Sequence, residues 1–186
     1  SFYRTLIFQQ PNTDHKLNIS AGLKGNNGIG GNYLVSASYE VVDDMLLYSN
    51  ITFVNSWLPS TSTERGNYFF PISDDAEILN VHGEFSGTIS DKITYSSSAN
   101  WYKYTLSESE YAWNKPNWDI KGSLKYNLRN KIIAGLDITA LGERKLYAIR
   151  LIDPAPANDL TYSYPFHFNI NLSAEYRYTK LLSFWF

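Results

Sequence analysis

The sequence predicts an all-β chain that forms part of an antiparallel, up-and-down transmembrane β-barrel. Three observations predict this fold class. Long segments alternate apolar and polar residues, tight connections take turns with long ones, and aromatic residues recur at the ends of the apolar faces. A barrel wall shows all three features, because it separates lipid from a wet interior and its two ends carry connections of different length.

The clearest predicted strand covers residues 166–178. It alternates without error from Phe166 to Tyr178, whereas strands of soluble proteins usually have about five or six residues. A tilted strand needs roughly nine to eleven residues to cross the hydrocarbon of a bilayer. The segment 2–9 is ambiguous, since Arg4 falls on its apolar side. Further strands are predicted over residues 16–24, 33–42, 46–57, 79–89, 93–102, 118–127 and 132–140.

The connections fall into two sets that alternate along the chain. The tight set is predicted at residues 42–44, 90–92, 128–130 and 179–180, and the long set at 57–76, 106–117 and 142–165, with a shorter glycine-rich member at 25–31. Outer-membrane barrels have short periplasmic turns and longer outer loops. Residues 67–72 could form another strand, but a strand there would break the alternation, so they are assigned to the outer loop, either as plain loop or as part of a hairpin. About ten strands result, the last of them truncated.

Each strand is predicted to turn its polar side to the barrel lumen and its apolar side to lipid, with aromatic residues in two girdles. The candidate lumen-facing residues are Lys24, Glu40, His82, Glu84, Asp119, Lys121, Lys125, Asp137, His167, Glu175 and Arg177. The candidate girdle residues on the lipid side are Tyr33, Tyr39, Tyr95, Trp101, Trp118, Tyr126, Phe166, Tyr176 and Tyr178.

Composition excludes several function classes. A net charge of −2 without a basic cluster argues against nucleic-acid binding, and the absence of cysteine excludes disulfides and thiolate metal sites. Mean hydropathy is −0.31 although the chain has 15 Tyr, 10 Phe and 5 Trp. No apolar run is long enough for a spanning helix. No cofactor or metal site is expected, because the acidic pairs 43–44 and 74–75 lie in connections, where Asp usually bonds its own backbone.

Enzymatic activity is not expected from the few histidines. His82 and Glu84 share a face and could form a Ser–His–Glu arrangement, but serines are frequent along every polar face. Aromatic residues in the long connections could bind sugars or a partner protein, or pack loop against loop, and the sequence leaves both open. These residues are Trp57, Tyr68, Phe69, Phe70, Tyr111, Trp113, Trp118 and Tyr147.

Three stretches carry a family resemblance: VHGEFSGTISDKITYSSSANWYKY, AWNKPNWDIKGSLKYNLRNKIIAGLDITALGERKLYA and FNINLSAEYRYTKLLSFW. They resemble the C-terminal barrel region of TonB-dependent-receptor-like outer-membrane proteins of Bacteroidetes, over residues 33–186. The resemblance implies the bacterial outer membrane and uptake of a ligand across it. Residues 1–186 are then one barrel segment without a plug or soluble domain. Outer-membrane lipid, a plug domain, a surface lipoprotein or other subunits of an outer-membrane complex are candidate partners.

Two other function classes remain open. The chain could be a soluble or surface-exposed β-sandwich that binds carbohydrate, with its aromatic residues in a core. It could also be a structural barrel within an outer-membrane complex, with either a porin-like passage or a plugged lumen.

Overall fold

The computed structural model describes residues 4–5, 13–28, 30–55, 65–153, 158–179 and 182–186. They form eleven β-strands in one sheet. No helix in these ranges is long and apolar enough to cross a bilayer. The strands are β1 (Arg4–Thr5), β2 (Asp14–Asn26), β3 (Gly31–Asn55), β4 (Arg65–Ser90), β5 (Ile93–Leu106), β6 (Trp118–Leu128), β7 (Ile132–Leu141), β8 (Arg144–Asp153), β9 (Asn158–Tyr164), β10 (His167–Arg177) and β11 (Ser183–Trp185).

Eight strands make an antiparallel, up-and-down wall in the order β2, β3, β4, β5, β6, β7, β10, β11. The predicted all-β, antiparallel architecture is therefore confirmed. Among the described strands, no pairing joins β11 to β2 or β9, so the sheet is open. The ambiguous segment 2–9 is described only at β1, which pairs in parallel with β4 at Tyr68 and Phe69.

The register of the wall places apolar residues opposite apolar residues and polar residues opposite polar residues. Leu124 lies opposite Tyr95 and Leu136, and Leu136 lies opposite Leu172 on β10. One residue along, Ser123 lies opposite Ser96 and Asp137, and Asp137 lies opposite Asn171. Directly opposite residues point to the same face of a sheet. The alternating strands therefore combine into one continuous apolar face and one continuous polar face.

The short connections lie at one end of the wall, called the short-turn end below. They join β4 to β5, β6 to β7 and β10 to β11. In the second, Arg129 and Asn130 have φ of 51° and 56°, and the Lys131 amide donates to the Leu128 carbonyl at 2.9 Å. Positive φ at both central residues is typical of a type I′ hairpin turn. The predicted turns at 90–92 and 128–130 are confirmed, whereas 179–180 lies partly outside the described residues.

The glycine-rich connection between β2 and β3 also lies at the short-turn end. The Thr88 amide, near the end of β4, donates to the Gly30 carbonyl at 3.4 Å. Gly28 and Gly30 have φ of 77° and 85°, which side chains other than glycine rarely adopt. The prediction that placed residues 25–31 with the long connections was wrong.

The predicted turn at 42–44 was also wrong, because β3 continues through it as a β-bulge. Asp43 and Asp44 together oppose Asp75 of β4. Asp44 has φ of 53°, and its amide donates to the Asp75 carboxylate at 3.0 Å. Asp tolerates this left-handed conformation, so an acidic pair suits a bulge as well as a turn. The extra residue inverts the alternation, and Val42 and Met45 therefore point to the same face.

Beyond the bulge, β3 and β4 form the far half of one long hairpin at the long-connection end. Residues 67–72 belong to β4, so their assignment to a plain loop was wrong, whereas the alternative that they form part of a hairpin is confirmed. Residues 142–165 are not a plain loop either, since they contain β8 and β9. β8 pairs in parallel with far β3, from Ser49 opposite Tyr147 to Asn55 opposite Asp153. Trp57 lies outside the described residues.

The buried apolar cluster lies at this same end. Its members come from β3, β4 and the connection between β5 and β6, and Leu47 is fully buried. Burying a large apolar side chain contributes roughly 1.5–3 kcal/mol, so the cluster holds the connection and the hairpin together. The cluster consists of Val42, Met45, Leu47, Ala76 and Trp113, with Ile72, Ile78, Tyr104, Leu106, Tyr111 and Tyr147 packed around it.

Asp74 fixes the start of the β5–β6 connection to β4. Its side chain is 5% exposed and accepts hydrogen bonds from the amides of Ser109 at 2.6 Å and Glu108 at 3.1 Å. Burial alone would raise the pKa of this carboxyl. Hydrogen bonds from the Ser109 hydroxyl and from the amides of Ser109, Glu108 and Ser107 outweigh burial, so the pKa is lowered.

Replacing Asp74 with asparagine is expected to release this connection. A hydrogen bond to a charged acceptor contributes roughly 2 kcal/mol, so amide exchange at Glu108 and Ser109 should accelerate about 30-fold near pH 7. The lowered pKa means that the stabilisation is complete above the unfolded-state value of about 3.9. It is lost as pH falls through the folded-state pKa. Hydrogen exchange of residues 107–117 measures the first effect, and the pH dependence of unfolding measures the second.

Asp43→Asn is the matched control. The Asp43 side chain is 43% exposed and pairs with Lys16 at 3.3 Å. An exposed ion pair contributes about 0–1 kcal/mol, so this variant should leave exchange in residues 107–117 unchanged. Equal exchange rates in Asp74→Asn and wild type would show that the carboxylate does not hold the connection.

Candidate functional site

The polar face of the wall is the candidate functional site. The register places every candidate lumen-facing residue on it, from Lys24 of β2 to Arg177 of β10. One row across it runs from Leu34 through Glu84 and Ser98 to Lys121. The shared face is thus established by the pairing of the strands. That this face lines a lumen stays a prediction at this point.

A hydrogen-bonded row crosses β4, β5 and β6 on this face. His82 Nδ1 lies 2.7 Å from Asn100 Oδ1, and His82 Nε2 lies 3.1 Å from Glu84 Oε1. The Asn100 amide nitrogen donates to Asp119 at 3.1 Å. The orientation of Asn100 follows from Asp119, because the carboxylate can only accept. Asn100 Oδ1 then accepts a hydrogen bond from His82 Nδ1. Each nitrogen of the His82 imidazole therefore lies next to an oxygen, Nδ1 next to that of Asn100 and Nε2 next to that of Glu84.

This geometry does not suit nucleophilic catalysis. A general base must have a free nitrogen within reach of the nucleophile's proton. Both nitrogens of His82 are instead occupied, by Asn100 and by Glu84. The His82–Glu84 contact considered from the sequence is present, but it belongs to an extended polar row. Sequence reasoning missed Asn100, whose position opposite His82 depends on the register between β4 and β5.

Short side chains form an open concavity next to this row. Its volume is about 490 Å³, and serines from β4, β5 and β6 contribute much of its lining. Glu84, Lys121 and Asp137 place charges of both signs around it. Because the serines are short, this part of the polar face has room for water, a ligand or another polypeptide.

A second concavity of about 290 Å³ lies nearer the long-connection end. Glu40, at its edge, contacts His15 Nδ1 at 2.5 Å. The lining residues are Ser38, Glu40, Met45, Ile78, Asn80, Tyr102, Tyr104 and Lys115.

The candidate girdle residues all lie on the apolar face. Trp101 is directly opposite Trp118, and the Trp118 ring stacks on Phe166 with centroids 6.2 Å apart. Tyr126 follows Trp118 by eight residues on the same strand. For a strand tilted by about 40° in a membrane, this spacing corresponds to roughly 20 Å along the membrane normal. The remaining members are Tyr33, Tyr39, Tyr95 and Tyr176, which lie within strands, and Tyr178, which directly follows the end of β10.

Several aromatic residues of the long connections pack against each other. Trp113 is 7% exposed and contacts Tyr111 and Tyr147, with ring centroids 5.4 and 5.2 Å apart. For these three residues the structure supports loop packing. The side chains of Tyr68, Phe69 and Phe70 lie outside the described part.

No group of three or more metal-ligating side chains occurs among the described residues. The acidic pairs instead have structural roles, since residues 43–44 form the bulge and Asp74 anchors a connection. The sequence did not predict these roles, because the sequence of an acidic pair is the same whether the pair lies in a turn or in a bulge.

No family model matches the chain, and no curated protein matches it. Similar solved structures include the copper transporter OprC, with 15% identity and a TM-score of 0.56. They also include the pyoverdine outer membrane receptor FpvA from Pseudomonas aeruginosa PAO1, with 13% identity and a TM-score of 0.60. The siderophore receptor PirA from Acinetobacter baumannii has 10% identity and a TM-score of 0.57. In each case 88% of this chain is covered, against 23%, 23% and 25% of the respective neighbour.

Identities this low show the fold alone. The chain spans about a quarter of the length of these structures. The resemblance to Bacteroidetes proteins stays a prediction, since the two named organisms belong to other groups. The prediction of a transmembrane β-barrel is confirmed, and the open sheet of this chain has the fold of part of a receptor-type barrel wall.

Proposed function

We propose that the chain is part of the wall of an outer-membrane receptor or transport barrel, resembling TonB-dependent receptors, that takes up a ligand across the bacterial outer membrane. The continuity of one apolar and one polar face over eight antiparallel strands carries this proposal. The sorting of short and long connections to opposite ends supports it, as does the fold of the neighbours. A non-enzymatic role fits the occupied nitrogens of His82.

In this proposal the apolar face contacts lipid and the polar face lines the lumen. Leu172 is 78% exposed and Leu23 is 77% exposed, so nothing in the described structure covers this face. Apolar patches of that extent on a water-soluble protein are normally interaction sites. Contact with lipid keeps the apolar side chains of this face out of water. The short-turn end then faces the periplasm and the long-connection end faces outward.

The chain is proposed to be one segment of a larger barrel, and its described residues one domain. Among the described strands, the open sheet leaves backbone groups unpaired at β11 and β2, and unpaired backbone groups in hydrocarbon cost several kcal/mol each. Further strands are therefore needed beside both edges. Barrels of about twenty-two strands hold a plug in the lumen, so a plug domain is a candidate partner. Outer-membrane lipid, a surface lipoprotein and other subunits of an outer-membrane complex are the remaining candidates.

Two alternatives to this proposal are separated from it by different observations. A soluble β-sandwich that binds carbohydrate would bury the apolar face under a second sheet. No second sheet occurs in the described ranges, where all strands belong to one sheet. A purely structural barrel within a complex would share the wall described here, and only an uptake measurement separates it from a transport barrel.

Leu172→Arg tests which face contacts lipid. An arginine at the middle of a lipid face is expected to lower the free energy of unfolding by roughly 2–4 kcal/mol. Asn171→Arg, one residue away on the polar face, should change it by roughly 0.5 kcal/mol or less. The measurement is denaturant unfolding of the protein reconstituted in liposomes. Equal losses in both variants, or a wild-type protein folded and monodisperse without detergent, would contradict the proposed orientation.

Cysteine labelling tests the direction of the wall, since the chain has no cysteine of its own. Glu110→Cys lies in the β5–β6 connection and Asp91→Cys in the β4–β5 turn, and both positions are exposed. A membrane-impermeant maleimide added to intact cells is expected to label Glu110→Cys and to leave Asp91→Cys at background. Both should react after the outer membrane is permeabilised. The reverse pattern in intact cells would show that the short turns face outward.

Uptake is tested by comparing a deletion strain with a complemented strain. Depletion of copper and of siderophores, pyoverdine among them, from the medium gives the first panel, because these ligands appear in the names of the structural neighbours. The complemented strain is expected to deplete one compound of a broad panel faster than the deletion strain. Identical depletion of every compound would favour the structural barrel instead.

A further inference from the structure

Two neighbouring turns at the short-turn end are joined by hydrogen bonds. The Asn127 amide donates to the carbonyl of Lys92, which lies in the β4–β5 turn. The Asn127 side chain accepts from the Asn130 amide at 2.9 Å and donates to the Asn130 side chain at 2.8 Å. Asn127 therefore ties the β4–β5 turn to the β6–β7 turn and sets their relative position.

These joined turns carry an excess of positive charge. Lys92, Arg129 and Lys131 are exposed, and none takes part in the ion pairs found in the described part of the chain. Asp91 is the acidic residue of the two turns. On the adjacent polar face, Arg177 already pairs with Glu175 at 2.7 Å. The three cations thus outnumber the nearby acid, and none of them lies within ion-pair distance of a carboxylate in the described structure.

At the opposite end of the wall some cations are paired, whereas Lys103 and Lys115 take part in no ion pair found in the described part of the chain. There Lys16 pairs with Asp14 at 3.0 Å and Lys145 pairs with Glu143 at 2.6 Å. The cations of the joined turns also sit next to tyrosines of the apolar face, with Tyr126 at the end of β6 and Tyr176 opposite Ile132. Tyrosines mark the level at which a barrel leaves the hydrocarbon and enters the head-group layer.

We propose that the joined turns form a binding surface for the head group of an anionic phospholipid, with Lys92, Arg129 and Lys131 contacting its phosphate. This inference rests on the membrane orientation proposed above, which puts the turns at a leaflet surface. Lys and Arg both bind phosphate, and arginine can do so with two parallel hydrogen bonds. Charge complementarity favours an anionic over a zwitterionic lipid.

The test uses the whole detergent-purified protein and phosphatidylglycerol as the probe, with binding measured by native mass spectrometry. The variant is K92Q/R129N/K131Q, in which asparagine suits the positive φ of position 129. A basic residue at an anionic surface contributes about fivefold in affinity, so the variant should bind phosphatidylglycerol roughly 100-fold more weakly. Binding of phosphatidylcholine should not change.

K16Q/K103Q/K115Q removes the same charge from the opposite end and is expected to keep the wild-type affinity for phosphatidylglycerol. Retained affinity in K92Q/R129N/K131Q would overturn the proposal and would favour a periplasmic protein as the partner of this surface. Equal loss in both variants would also overturn it, since net charge alone would then decide binding. Insertion of each protein into vesicles is measured first by heat-dependent migration on gels. A wild-type protein that fails to insert contradicts the proposed function rather than this surface.

Discussion

The satisfaction of backbone hydrogen bonds across the bilayer is the constraint on which the rest of the wall depends. Lipid offers no donors or acceptors, so each N–H and C=O in the hydrocarbon must pair with a neighbouring strand. Continuous pairing fixes the register of all strands, and a shift by one residue would exchange their two faces. The row Tyr95, Leu124, Leu136 and Leu172 shows the result. Apolar residues stay aligned because the backbone ladder leaves them no freedom to slip.

The bulge at Asp43 and Asp44 shows what happens where this constraint ends. One extra residue in β3 inverts the alternation, so Met45 and Leu47 point to the same side as the polar face below them. On that side they meet Trp113 and build the buried cluster. The same two strands therefore have different surroundings on the two sides of the bulge. Below the bulge, apolar residues such as Tyr39 and Val81 lie on the apolar face. From Val42 onward, the apolar residues Met45 and Leu47 lie on the other side of the strand pair, where they form a core.

The sequence allowed the wall to be predicted in detail and the long-connection end only poorly, for physical reasons. Period-two alternation reports a strand with two different surroundings, which holds for residues 166–178 and 118–127. Above the bulge, Leu47 and Ile72 of the strand pair pack against a connection, and the sequence of residues 67–72 shows no clear alternation. Parallel pairing of β8 with β3 joins segments far apart in sequence, and no local signal reports such a contact. The Asp pairs fit a turn, a bulge or an anchor equally well.

The two errors of connection assignment compensated each other, which explains why the alternation of short and long connections looked unbroken. The segment 25–31 was placed at the wrong end, and the supposed turn at 42–44 supplied the missing reversal. Counting turns by composition cannot expose such a pair of errors. The direction of the chain can, because β3 runs antiparallel to β4 without reversing, from Gly31 opposite Gly87 to Phe53 opposite Arg65. A strand as long as β3 crosses the membrane and continues beyond it. The length of each strand, more than the composition of its ends, therefore decides where a barrel wall leaves the lipid.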